Sequence, residues 1–349
     1  MPDQIIEAVK QAATRKTPMR IIGGNSKSFY GRKIEGEELD VSGYQGIVSY
    51  EPTELVVTAR CGTPISEVEA LLAEQNQMLP FEPPHFGESA TVGGTIACGL
   101  SGSARPYTGS VRDYVLGVRM INGKGEDLTF GGQVMKNVAG FDVSRLMTGT
   151  LGTLGIILEV SFKLLPKPEA EITIQQECDQ QQAITLMNKL AGQALPLSAA
   201  CFEQGVLSHR LSGFPAAIQS AHQQIGGEQL NNADVFWNSI KEHQHSFFKG
   251  SDPFYRVSVP PATEPLDLEG ECFVDWGGAQ RWYRSDLPVE KIREIVHAQK
   301  GHVTLFRHGN DHDDIFSPLS PEIKKIHHRL KASFDPHGIF NIGKMYPDL

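Results

Sequence analysis

The constraint that most narrows what this chain can become is the placement of its glycines. They are dense up to Gly155 and sparser beyond it. Glycine lets main chain turn tightly and come close to a ligand, so unusual backbone geometry is expected in the first half. The first cluster, Ile22-Gly23-Gly24-Asn25-Ser26-Lys27-Ser28, follows an extended run from Met19 to Ile22. Adjacent glycines there can turn successive N–H groups toward one point, an anion nest to which Ser26, Ser28 and Lys27 add donors and charge. A diphosphate suits such a nest; a tight turn with surface Ser and Lys is the competing reading. The second cluster runs from Ser89 through Thr91, Gly93 and Gly94 to Gly99, followed by Gly102, Arg105, Gly109, Arg112 and Asp113. So many small residues over so few positions are hard to explain by packing alone. The third cluster is Gly149-Thr150-Leu151-Gly152-Thr153-Leu154-Gly155-Ile156-Ile157.

Neither common nucleotide loop fits these clusters. The dinucleotide fingerprint is G-x-G-x-x-G, placed after a strand and opening a helix. The third cluster instead reads G-x-x-G-x-x-G, between a helical stretch (Val143 to Met147) and a strand. A phosphate loop of the G-x-x-x-x-G-K-[ST] type also fails, because Gly123-Lys124 is followed by Gly125 and Gly117 is one position too far upstream. Three glycine-rich loops converging on one long, anionic, flat-ended ligand point to FAD held in another fold.

Net charge is −9, a poor balance for coating nucleic acid, which wants clustered Lys and Arg. A local pocket can still oppose the global sign. The five cysteines include no CxxC pair, so reduced thiols in a cytosolic protein are expected. The opening MPDQIIEAVKQAATRK is polar and amphipathic, unlike a signal peptide, and no apolar run approaches the ~18 residues of a span. Membrane association is therefore expected only through partners, with a cytoplasmic location.

The pattern predicts a short opening helix and a helix beginning near Pro64. It predicts strands over Val115 to Asn122 and Ile156 to Leu165. Lys167-Pro168-Glu169 reads as a domain seam. Beyond it, helical stretches (Gln175 to Gln193, Ala216 to Gln229) alternate with strand-like runs such as Phe254 to Val259. A last helix from Pro321 places Ile323, Ile326, His327 and Leu330 on one face. Trp237, Trp276 and Trp282 suit a core or an interface, and Phe247-Phe248 and Trp282-Tyr283 could form a subunit contact.

In their order and spacing, the motifs resemble the FAD-binding domain of the p-cresol methylhydroxylase/vanillyl-alcohol oxidase type. The correspondence runs through Gly23-Gly24-Asn25-Ser26, then Pro83-Pro84 leading to Ser89 to Gly94. It continues with Thr108-Gly109 to Asp113 and Val115, and then Gly149 to Ile157. Phe334 to Lys344 is similar to the family's closing segment, with Ile342 in place of Pro. The resemblance implies an α+β fold. Residues 1–167 would form a two-part FAD-binding domain, 168–320 a smaller α+β cap, and 321–349 a tail returning to the first domain. It implies that Gly23, Gly24, Asn25, Ser26, Lys27, Ser28, Gly93 and Gly94 hold the diphosphate. Ser89, Thr91, Gly109 and Asp113 would line the ribityl and flavin path. Gly155, Ile156 and Ile157 would meet the adenine end, and Asn341 with Lys344 would lie near the isoalloxazine. Covalent members carry His where this chain has Asn25, so non-covalent FAD is expected.

Within that superfamily the chain is most similar to the E-subunit family of bacterial glycolate oxidases. This implies a complex with a homologous FAD-containing catalytic subunit and an iron–sulfur subunit, and a small 2-hydroxy acid as substrate. The superfamily's metal-binding Gly-His-x-Gly-Asp-Gly-Asn-x-His is missing; the nearest stretch is Gly301 to Asn310. Oxidising a 2-hydroxy acid needs a base, a cation for the carboxylate and a hydride acceptor. One reading puts the substrate chemistry in the partner. A second makes the chain self-sufficient, with Arg307, His308 or His302 at the substrate. A third is a structural subunit that no longer binds flavin, for which Leu151 speaks, since relatives often carry an acidic residue there. His302, His308 and His312 with Asp311, Asp313 and Asp314 could bind a metal, but the spacing suits a solvated turn better, and no metal is expected.

Overall fold

The longest apolar runs of the first half become the middle of a sheet. In the computed structural model, which describes residues 1–132, 142–309 and 314–349, Ile156–Lys163 pairs antiparallel with Val56–Arg60 and with Val115–Ile121. Ile47–Glu51 and Asp127–Gly131 form the edges of this five-stranded sheet. Helices Pro2–Arg15, Ile65–Ala73 and Val92–Cys98 close the core through Ile5, Val9, Ile65, Val68, Leu72 and Ile96. Met19–Ile22 pairs in parallel with Glu37–Asp40, and the first glycine loop lies in the connection between them.

Residues from 170 onward build an eight-stranded antiparallel sheet. Its order is Glu228–Gln229, Ala170–Glu177, Val206–Gly213, Leu197–Glu203, Glu271–Asp275, Gln280–Arg284, Phe254–Ser258 and His302–Arg307. Strand side chains alternate between faces. Along Phe254–Ser258, Tyr255 and Val257 turn to a core that includes Ile292 and Val296 of helix Val289–Ala298. Phe254 turns the other way, into an aromatic cluster with Trp237, Phe247, Phe248, Phe273, Trp282 and Phe306. Tyr30, Leu100 and Leu151 of the first half belong to the same cluster, so this face joins the two sheets.

The tail returns to the first half. Helix Pro321–Phe334 starts at Ser320, whose hydroxyl accepts from Ile323 N, and ends at fully buried Asp335. The Asp335 carboxylate accepts from the amides of Ile339 and Phe340 and pairs with Lys331 at 2.9 Å. Met19 N then donates to Ile339 O, and Asn341 N donates to Met19 O, which sets the tail beside the first strand.

Several local expectations change. Gln175 belongs to a strand that lasts to Glu177; the helix Gln180–Ala191 begins only where Asp179 and Gln182 form a capping box. Helix Pro215–Ile225 stops at Gly226 and Gly227, both at positive φ, and Glu228–Gln229 is strand. Ile323 and Ile326 remain 45% and 50% exposed, so the last helix buries less than its pattern promised. Phe247, Phe248, Trp282 and Tyr283 are buried in the chain's own core and are not available as a contact surface. All five cysteines are free thiols. No helix among the described residues is long and apolar enough to cross a membrane.

Candidate cofactor site

The three glycine loops meet around one cavity of about 840 Å³, in the upper part of the range for small-molecule sites. The first loop lines it continuously from Gly23 to Ser28. Thr91, Gly93 and Gly94 come from the second loop, Gly152, Gly155 and Ile157 from the third, and Asn341 and Lys344 from the tail. Leu305 to Gly309, at the end of the last strand of the larger sheet, complete the lining.

The loops are held together by main-chain bonds. Gly149 N donates to Ile96 O and Leu151 N to Ala97 O, tying the third loop to the second. Asn341 ties the third to the strand leading into the first: its Nδ2 donates to Leu151 O at 2.7 Å and its Oδ1 accepts from Ile21 N at 2.9 Å. Two glycines are required by closeness. A Cβ on Gly24 would lie 1.4 Å from the carbonyl oxygen of Ser89. On Gly152, already at φ +73°, it would lie 2.7 Å from Nδ2 of Asn341.

The amide N–H groups of Gly23 to Lys27 donate to no acceptor among the described residues. Buried or half-buried amides need a partner, and this run on a cavity wall, half-buried or buried at every position but Asn25, is suited to phosphate oxygens. Charge agrees. The lining contains Arg20, Lys27, Arg32, Lys33, Arg307 and Lys344 and, among the described residues, no Asp or Glu, in a chain of net charge −9. Burial lowers the pKa of the Lys27 ammonium, which donates to His85 O at 3.1 Å. Burial likewise lowers Lys344 and Arg307. Arg307 stacks on Phe29 at 4.2 Å and Phe86 at 4.9 Å, and its buried Nε has no acceptor. An anion on this wall would return to these cations the solvation that burial removed.

Ser89, Gly109, Asp113, Ile156 and His302 lie outside the lining. Ser89 instead supports the first loop, its hydroxyl donating to Gly24 O. Gly109 ends the short helix Arg105–Thr108, and Asp113 caps the next one, accepting from Ser110 N and Oγ at 2.8 Å. Ile156 is fully buried in the five-stranded core. His302 is exposed at the start of the strand that ends in Arg307, roughly 16 Å away by strand rise. His308 lines the cavity at φ 62°. Asn310, Asp311, His312 and Asp313 lie outside the described residues, and no group of metal-ligating side chains gathers among the described ones.

Sequence reasoning passed over Arg20, Phe29, Tyr30, Arg32, Lys33, Phe86 and Cys98 as lining residues. For Arg32 and Lys33 a signal existed, two adjacent cations just after the glycine nest. For Phe86 there was none, because Glu242 from the other half accepts from its amide and places it.

Fold and cavity together define an FAD-binding flavoprotein: residues 1–131 match the family model described as "FAD binding domain". The chain belongs to the glycolate oxidase subunit GlcE family, being 46% identical over 345 residues to glycolate oxidase subunit GlcE of Escherichia coli (strain K12). That match covers 99% of this chain and 97% of the relative. D-lactate dehydrogenase of Archaeoglobus fulgidus is 22% identical over 393 residues, covering 97% of this chain and 88% of the relative. A solved structure of alkyldihydroxyacetonephosphate synthase has the same fold, with TM-score 0.68 and 13% identity, covering 97% of this chain and 74% of that one. That fold is the p-cresol methylhydroxylase type expected from the motifs.

Proposed function

We propose that the chain is the FAD-holding subunit of a complex that oxidises glycolate to glyoxylate, with the cofactor bound non-covalently. The observation that carries the cofactor part is a cavity lined by six Lys and Arg and no described carboxylate in an acidic protein. The substrate part rests on membership of the family and on the relatives' names. Gly23 to Ser28 would receive the diphosphate on their amides and hydroxyls, with Lys27 supplying charge. Asn341 would keep the first and third loops closed around it. Thr91, Gly93, Gly94, Gly155 and Ile157 would line its path, while Ser89 braces the first loop. Bound FAD supplies the hydride acceptor for oxidation of a hydroxyl-bearing carbon. The chain's own part is to bind, orient and exclude water: the Phe29, Phe86 and Phe306 rings close one side of the cavity and Leu151 another.

The division into 1–167, 168–320 and 321–349 is part of this reading, with the cavity between the first unit and the end of the second. So is assembly with a homologous flavin subunit and an iron–sulfur subunit in the cytoplasm, reaching the inner membrane face only through those partners.

Purified chain should show flavin absorbance. Mild acid or denaturant should release all of it, since Asn25 offers no nucleophile for a covalent link. Colourless protein that takes up no added FAD would overturn the cofactor assignment, and colour retained on the denatured polypeptide would overturn the non-covalent one.

A further inference from the structure

Glu242 stands behind the cofactor cavity and not in its lining. It follows the helix Ala233–Lys241, which is anchored in the second half of the chain. Trp237 and Ile240 of that helix are buried in the aromatic cluster, and Trp237 Nε1 donates to Thr173 Oγ1 at 2.8 Å. The half-buried Glu242 side chain crosses to the first half. There its Oε2 accepts from two successive amides, His85 N at 3.1 Å and Phe86 N at 2.8 Å. Lys241 Nζ lies 3.4 Å from the other oxygen. Hydrogen bonds to a carboxylate are about twice as strong as neutral ones. These hold an uncommon backbone, because Phe86 has φ 53°, a left-handed conformation that a bulky residue keeps only where its surroundings fix it.

The Phe86 N–H and the His85 carbonyl belong to one planar peptide group. On its far side that carbonyl accepts from Ser26 Oγ at 2.8 Å and from Lys27 Nζ at 3.1 Å. A single rigid plane thus joins a carboxylate of the second half to the first glycine loop. Accepting the N–H also polarises the peptide, which makes its carbonyl a better acceptor for an ammonium. Charge runs the same way. Burial lowers the pKa of Lys27, while Cys98 and Glu242 raise it. The Cys98 thiol, itself pushed up by burial to about 11, is neutral near pH 7. Glu242 is then the group whose negative charge helps to keep Lys27 protonated. A carboxylate in the cavity wall would repel a diphosphate; one peptide further back, Glu242 supports the cation and leaves the cavity side clear of negative charge.

We propose that Glu242 is a positioning residue for the cofactor. Through the His85–Phe86 peptide it sets Ser26 and Lys27, so that tight FAD binding by the first loop depends on the eight-stranded half being docked against it. The inference rests on the reading that this loop receives the diphosphate. Glu242 touches no part of the cofactor itself; it acts by holding the residues that do.

Fluorescence titration of the flavin-stripped full chain with FAD tests the proposal in a double-mutant cycle. E242A should weaken FAD binding by about tenfold or more, the worth of a hydrogen bond to a charged group. E242Q should recover part, because one oxygen in the place of Oε2 can still accept from both amides. In an S26A/K27M background, E242A should change the affinity by less than about twofold, since the contacts through which Glu242 acts are gone. Wild-type affinity in both E242A and E242Q would overturn the proposal. So would a tenfold loss that persists in S26A/K27M, the mark of a general loss of packing. If E242A does not fold, E242Q in the two backgrounds decides by the same comparison. Failure of wild type to take up FAD would overturn the cofactor assignment and this inference with it; uptake by wild type with no response at Glu242 would overturn the inference alone.

Discussion

The two walls of the large cavity are made of different material. The wall from the first half sets main chain among its cations: beside Arg20, Lys27, Arg32 and Lys33 stand the amides of Gly23 to Lys27, which donate to no acceptor among the described residues, and close-packed glycines at 24, 93, 152 and 155. The wall from the eight-stranded sheet is side chain: Phe306 and Arg307, backed by His243, Phe254 and Trp282. A main-chain wall recognises phosphate through geometry and tolerates little added volume. A side-chain wall recognises through residue identity, so it can change specificity while the fold stays. Cofactor recognition by main chain and recognition of a second ligand by side chains can thus share one cleft.

The sharpest way to break this contrast is to add volume to the first wall. In Gly24→Val the new Cβ meets the Ser89 carbonyl carbon at 2.5 Å and its oxygen at 1.4 Å. A backbone carbonyl cannot rotate aside, so the loop must shift. We expect flavin-free protein and a loss of about 3 kcal/mol or more in unfolding free energy, the upper range for overpacking. The ratio of flavin to protein absorbance and a urea titration measure both. Gly132→Ala, where nothing among the described residues lies within 4 Å of the added atom, is the control. A full flavin complement in Gly24→Val would remove the first loop from the site.

The contrast also explains what could be read from the sequence. A wall of amides leaves a trace in one dimension, because glycine is what close approach needs; the three clusters therefore marked the three loops. The tail was legible because Asp335, Gly338 and Asn341 form a dense polar turn between apolar residues. The other wall left less of a trace: Arg307 and His308 stood out only beside a missing motif. Phe306 and Arg307 end an ordinary alternating strand, and Phe254 and Trp282 behind Phe306 lie in two others. Only the pairing of Phe254–Ser258 with Gln280–Arg284 and His302–Arg307 brings them to one face. His302 and Arg307 were grouped because they are near in sequence, yet an extended strand carries them to opposite ends. Asp113 looked like a ligand-facing residue, but a helix terminus beside it offered a nearer donor in Ser110. Leu151 suggested lost flavin binding by its side chain, whereas the bonds through its main-chain N and O are what hold the second and third loops and the tail together.

A smaller effect should follow from the buried carboxylate of the side-chain half. Burial, despite donors from Trp276 and Ser103, raises the Asp275 pKa to about 7. An unfolded Asp titrates near 4. Between those values the folded chain holds a proton that the unfolded chain has released, so this group's contribution falls as pH rises and is flat above about 7. Wild type should therefore lose on the order of 2 kcal/mol relative to Asp275→Asn between pH 5 and pH 8. Urea titrations of both proteins at a series of pH values give the difference directly. Parallel curves would show that Asp275 is ionised throughout, and would put a buried negative charge behind the second wall where the first, among the described residues, has only cations.

The smallest effect expected is on cofactor affinity from the second wall. Arg307 has no carboxylate partner among the described residues and is held by Phe29 and Phe86 with its Nε unpaired. Arg307→Met keeps most of the apolar stem while removing charge and donors, so the aromatic partition should remain and the fold should change little. If the main chain carries most of the phosphate recognition, FAD affinity should fall only about tenfold, near 1.4 kcal/mol. Arg307→Lys should fall nearly as far, because an ammonium stacks less well than a planar guanidinium between two rings. Fluorescence titration of flavin-stripped protein reads both. A collapse of affinity comparable to that of Gly24→Val would mean that one side chain does what the comparison assigns to five amides, and the two walls would no longer differ in the way proposed.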